Sequence, residues 1–336
     1  MPSNEERRAA ALKKLEQQNE QRAAAARKRK VLGISAGAAV VVVLVAAGCY
    51  LWLPQGPRGP LRFAAENRYK TLHTQCDYAD QKDQVAALQQ NIAQGKEQTA
   101  KLPAAQKTEA DRQIKRLEDA VPKLQAQAAF VKGLKKPSGK DVPNTGDVSG
   151  ELTTNFGALP FTLDRSWAPC NVESFASLIS QKYFDGTQCF RETAADAAAG
   201  ANVSVLQCGD RSNTALGGAS WTAPDETPTQ LKAAPNAQAQ MGSAPTVIYP
   251  AGTIAMAKSS APNSASSQFF LVYADTQLPA SYSTIGKLSD SGLKTLKSIT
   301  DKGIDPSPYD APPAAGAKVS DGVPKETVTV SGAKLS

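Results

Sequence analysis

The 336-residue chain contains one histidine, His73. A Ser-His-Asp or Cys-His nucleophilic site anywhere after it is excluded, because the imidazole that would take the proton is missing. The five cysteines include no Cys-x-x-Cys pair, which with the lack of histidine removes the common zinc spacings. No glycine cluster carries the lysine spacing of a phosphate-binding loop, and the scattered Asp and Glu mark no glycosidase pair. The chemistry that remains needs no covalent attack, metal or cofactor.

Charge is also absent where a nucleic-acid reading would need it. The net charge is +7, but residues 1–30 hold about +5 of it, from nine Lys and Arg against four Glu. The rest of the chain is close to neutral, so no nucleic-acid partner is implied. Between Arg27–Lys30 and Pro54 lies Val31–Leu53, about 23 residues without a charge, long enough to span a bilayer. The positive-inside rule places 1–30 in the cytoplasm and everything after Leu53 outside, as a single-pass protein of the cell membrane. Ala46-Ala47-Gly48-Cys49 resembles a lipoprotein cleavage box. However, Tyr50-Leu51-Trp52-Leu53 continues the apolar run, and an uncleaved anchor fits its length better. The outer cysteines, Cys76, Cys170, Cys189 and Cys208, permit two disulfides in three connectivities.

Residues 54–134 read as a stalk with a helical hairpin. Val85, Leu88 and Ile92, then Ile114, Leu117, Val121 and Leu124, fall at helical spacing on either side of Leu102-Pro103, and Pro122 is expected to kink or restart the second helix. Such a hairpin could serve as a spacer, a clamp or a self-association arm. Residues 135–150 are a Pro/Gly/Ser-rich linker. Over 151–332 a hairpin around Gly157-Ala158, a helix opened by Pro169, a short helix near Leu293–Ile299 and many short strand-like runs predict a mainly β domain. The expected form is a closed or nearly closed β-barrel whose ends are capped by two helices.

Within that domain, Tyr183-Phe-Asp-Gly-Thr-Gln-Cys-Phe-Arg191, Val205-Leu-Gln-Cys-Gly-Asp210, Gly217-Gly218 and Asp225-Glu226 form one series of motifs. Met256-Ala-Lys258, Pro262-Asn263, Ser267-Gln-Phe-Phe270, Leu278 and Ile285-Gly-Lys-Leu288 continue it. In this order they resemble the cyclophilin-type peptidyl-prolyl cis-trans isomerases, in a membrane-anchored, actinobacterial form. The resemblance implies a closed antiparallel eight-stranded barrel and proline-containing polypeptides as substrates; with the domain placed outside the membrane, exported proteins are the expected clients. It makes Arg191 the catalytic donor and Gln207 the residue that positions substrate, supported by Gln268. Phe270 becomes the floor of the proline pocket and Val205 and Leu278 its walls, with Tyr282 where the family has a histidine. Backbone groups of Ala257, Lys258 and Ser259 would pair with the extended substrate.

Besides Tyr282, further departures accompany the match. Phe190 replaces a family His, Ser204 a Phe, and Gln277 a Trp tied to cyclosporin binding, which predicts weak cyclosporin affinity. Glu192–Asn202 is expected to lengthen the loop after Arg191. The departures at Tyr282, Ser204 and Gln277 motivate an alternative, a catalytically weak proline-binding or chaperone module with a helical clamp.

Overall fold

Short alternating segments separated by turn residues become strands, because each can bury only one face and must pair to satisfy its backbone. The computed structural model describes residues 71–81, 83–196, 202–235, 244–307 and 318–336. The expected tail at 1–30 and membrane span at 31–53 lie outside these, and among the described residues no helix is long and apolar enough to cross a membrane. In chain order the elements begin with β1 (His73–Thr74), β2 (Ala79–Asp80), α1 (Gln84–Ala100), α2 (Ala104–Gly133), β3 (Val142–Pro143), β4 (Asp147–Thr154) and β5 (Gly157–Asp164). Next come α3 (Pro169–Ser180), β6 (Thr187–Cys189), β7 (Arg191–Thr193), β8 (Val205–Cys208), β9 (Trp221–Thr222), β10 (Lys232–Ala233) and β11 (Thr246–Tyr249). The series ends with β12 (Thr253–Met256), β13 (Phe269–Val272), β14 (Thr276–Pro279), β15 (Thr284–Leu288), α4 (Asp290–Thr300), β16 (Ile304–Asp305), β17 (Asp321–Pro324) and β18 (Val328–Leu335).

Eleven of these strands form one curled antiparallel sheet in the order β16-β17-β7-β8-β13-β12-β15-β5-β4-β18-β6. It is larger than the eight strands expected, because β16 and β17 extend one side and Phe190 divides a single predicted run into β6 and β7. A separate sheet, β10-β11-β14, stands beside it. The β4–β5 hairpin turns at Asn155-Phe156 rather than at Gly157-Ala158, with Thr154 paired to Gly157. Thr154 Oγ1 makes the tighter turn possible by accepting from Phe156 N–H and donating to the Gly157 carbonyl.

The core lies inside the curl. Phe175 and Ile179 of α3, Phe184, Phe269, Leu206, Leu271, Ile254 and Leu163 are buried there. Phe269 meets Phe175 and Phe184 edge-on, with ring centroids 5.2 and 5.4 Å apart, the geometry ring quadrupoles favour. Pro169 occupies the first turn of α3, where its missing N–H costs nothing. The N–H groups behind it, of Cys170 and Asn171, donate to the Glu226 carboxylate at 3.0 and 2.9 Å. Glu226 thus caps α3 from a distant loop.

The hairpin forms as expected, except that α2 runs through Pro122 as one helix. Leu88, Ile92, Ile114 and Leu124 pack between the two helices, and Leu216 from a loop of the β domain packs against them. Phe130 of α2 lies 6.3 Å from Tyr183, and the Arg211 guanidinium sits 3.9 Å over its ring. Residues 71–336 therefore form one compact unit. The cysteines pair as Cys76–Cys170 and Cys189–Cys208. The first joins the segment before α1 to the start of α3, and the second joins β6 to β8.

Candidate active site

Strand register places the assigned residues. Arg191 on β7 stands directly opposite Gln207 on β8, Gln207 opposite Phe270 on β13, and Phe270 opposite Ala255 on β12. Directly opposed residues share a face of the sheet, with Cβ atoms about 5 Å apart. Arg191, Gln207 and Phe270 therefore form one row on the outer face. Two residues along, Thr193, Val205 and Val272 form the next row on the same face. The residues between, Glu192, Leu206 and Leu271, point inward.

A second apolar cluster occupies this outer face, built from Val205, Val247, Tyr249, Ala255, Phe270, Val272 and Ala280, with Ala257, Leu278 and Tyr282 packed against it. The Phe270 and Tyr282 rings meet edge-on at 5.5 Å, and Tyr249 backs both. Tyr249 is fixed by its hydroxyl, which donates to the Pro279 carbonyl at 2.9 Å. Burial raises its pKa above the ordinary tyrosine value, so it stays a neutral donor. Leu278 comes from the smaller sheet, opposite Val247.

The two glutamines form a rail. Gln207 Nε2 donates to Gln268 Oε1 at 3.0 Å, and Gln268 Nε2 donates to the carbonyls of Ala215 and Gly217 at 3.1 and 2.8 Å. Those carbonyls belong to a loop wound around Asp210, whose carboxylate accepts from the N–H groups of Ser212, Thr214 and Gly217. A Cβ on Gly217 would lie 2.2 Å from Asp210 Oδ1, so only glycine fits. The same loop is held from the other side by Gln84 of α1. Its Oε1 accepts from Gly218 N–H at 3.1 Å, and its Nε2 donates to the Gly218 and Ala219 carbonyls.

The remaining assigned residues fall as follows. Ala257 N–H donates to the Gln268 carbonyl at 2.8 Å, which ties β12 to the rail. The Lys258 side chain is turned away and largely buried, its ammonium 2.6 Å from Asp225 Oδ2. Beside that pair lies a cavity of about 380 Å³, lined by Pro228, Leu231, Val247 and Ala280 among others. Ser259 is exposed, and its N–H donates to Ser264 Oγ. Ser204 is buried, and its N–H donates to Thr276 Oγ1 at 2.9 Å. Glu192 and Thr193 continue β7, so they are strand residues rather than part of a lengthened loop, and residues 197–201 lie outside the described residues.

Arg191 is half exposed. Its Nε and Nη2 donate to the two carboxylate oxygens of Asp321 on β17, at 2.8 and 2.7 Å. Sequence reasoning missed Asp321, Tyr249 and Val247. The first sits alone before Gly-Val-Pro, and the others lie in the short β11, whose four residues carry no alternation strong enough to register.

A guanidinium, a pair of linked amides and an aromatic ring thus share one sheet face beside an apolar cluster. Residues 150–333 match the family described as cyclophilin type peptidyl-prolyl cis-trans isomerase/CLD, and the chain belongs to that family. Among curated proteins, the probable peptidyl-prolyl cis-trans isomerase B of Mycobacterium leprae is 39% identical over 184 residues, covering 54% of this chain and 59% of that protein. The protein of the same name from Mycobacterium tuberculosis is 37% identical over 191 residues, covering 56% of this chain and 59% of its own length. The match thus spans less than two thirds of these relatives. A solved cyclophilin type isomerase from Cryptosporidium parvum shares 22% identity, covers 57% of this chain and 98% of its own, and superposes with a TM-score of 0.41.

Proposed function

We propose that residues 150–333 catalyse cis–trans isomerisation of X–Pro bonds. Rotation about such a bond must break amide resonance, a barrier of about 20 kcal/mol. In the twisted state the prolyl nitrogen gains a lone pair that neither planar isomer has. A cation aimed at that nitrogen therefore stabilises the transition state over both ground states. Arg191 supplies the donor, since guanidinium stays charged at any working pH. Phe270, Val205, Leu278 and Tyr282 receive the proline ring. Gln207 and Gln268 orient the substrate backbone, and Ala257, Lys258 and Ser259 contribute main-chain groups only, because the Lys258 ammonium is held by Asp225.

The observation that carries this reading is the register row Arg191–Gln207–Phe270 on one face. Two-dimensional exchange NMR on a prolyl peptide tests it. Arg191→Ala should slow exchange roughly tenfold or more, consistent with loss of an electrostatic donor, with the circular dichroism spectrum unchanged. Undiminished exchange in that variant would sink the mechanism. Binding without exchange by the wild-type protein would instead favour the catalytically weak proline-binding module.

The finer architecture belongs to the same reading. We take the curled sheet to be a closed eight-stranded barrel. Support comes from the single residue between β6 and β7, from Phe190 N–H donating to the Gln207 carbonyl, and from a bridge between Gln188 and Asp210. The basic tail, the uncharged run 31–53 and the two disulfides support a membrane-anchored domain facing an oxidising compartment, where exported proteins are the clients. Protease added to intact spheroplasts should digest residues after 53 and spare the tail; a protected domain refutes the placement. Self-association through the hairpin draws no support from its packing, since its apolar stripe is covered by its own partner helix and Leu216.

A further inference from the structure

Asp321 is the first residue of β17, which flanks β7 on the side away from Gln207 and Phe270. It stands opposite Thr193, which shares a face with Arg191, so the register sets its carboxylate diagonal to Arg191 on the outer face. The two parallel N–H···O bonds between them engage the Nε–Nη2 edge of the guanidinium. With side chains 49% and 56% exposed, the pair adds little to stability. Its effect is geometric. A bidentate carboxylate fixes the plane of a guanidinium that solvent would otherwise leave free to change rotamer. Charge stabilisation of a transition state depends on a donor oriented before the reaction starts.

We propose that Asp321 is a positioning residue for the isomerase. It holds the Arg191 guanidinium from behind, outside the groove, so that no reorientation is needed when the prolyl bond twists. The inference rests on Arg191 being the catalytic donor.

The test measures kcat and KM on a prolyl peptide, with thermal melts, for wild type and for Asp321→Ala, Asp321→Asn and Asp321→Glu. The Ala and Asn variants should lower kcat roughly fivefold, leave KM within about twofold and leave the melting temperature unchanged, as expected for loss of preorganisation alone. Asp321→Glu, which keeps a bidentate acceptor, should recover part of the rate. In an Arg191→Ala background, Asp321→Ala should have no further effect. The Arg191 Nε–H resonance, protected in wild type, should exchange faster with water in Asp321→Ala. An unchanged kcat overturns the proposal, and a raised kcat does so by making the pair a restraint on Arg191. An inactive wild type overturns the functional reading itself, whereas activity that ignores Asp321 overturns only the positioning.

Discussion

Glu192 sits immediately beside Arg191 but on the opposite face, in the inward row with Leu206, Leu271 and Ile254. It is 1% exposed, and its Oε2 makes no hydrogen bond among the described residues. Burial raises its pKa from 4.5 to about 7, because removing water penalises the charged form. Between those values the folded chain keeps a proton that the unfolded chain releases. Stability is therefore fullest at and below pH 4.5, is lost as pH rises to about 7, and is level above that. The loss is on the order of 3 kcal/mol. Glu192→Gln should abolish that decline and be more stable than wild type at pH 8, as read from denaturant melts across pH 4–8. A decline that persists in the variant would show that another group carries it.

Among the elements, those with a strong local pattern were legible in the sequence. Val172, Phe175, Leu178 and Ile179 gave α3 its inward face, and Phe269 and Phe270 gave β13 one ring for each side. The helical stripes of α1 and α2 were equally plain. What escaped was whatever depends on pairing rather than on local sequence. The strands β9, β14 and β17 are two to four residues long and exist because a neighbouring strand completes their hydrogen bonds. The run through Pro122 escaped too, since tertiary packing of the surrounding turns outweighs the one lost helical bond. The docking of α1 on the Gly217–Gly218 loop combines the packing of Leu216 with the hydrogen bonds of one glutamine, Gln84, in a segment rich in glutamines. Through it the hairpin supports the rail of Gln207 and Gln268, a role that composition could not separate from a spacer. Of the site itself, the row on β7, β8 and β13 was accessible through family motifs, whereas the carboxylate behind Arg191 comes from a strand those motifs do not include.

At the scale of the molecule, the Cys76–Cys170 bond spans 94 residues and encloses both helices of the hairpin in a covalent ring. Cross-linking a loop of that length restricts the unfolded chain by on the order of 4 kcal/mol in the chain-entropy account. The ring has a mechanical consequence as well. Tension applied to the chain ahead of Cys76 passes through the sulfur bridge into the start of α3 and bypasses the hairpin. Force entering there would thus load the β domain and leave the hairpin under the Gly217–Gly218 loop slack. In single-molecule pulling from residue 71 to the C-terminus, reduction should add roughly 330 Å of contour length for the 94 released residues, beyond the smaller Cys189–Cys208 loop. Equal lengths in the two redox states would mean that the hairpin bears the load after all.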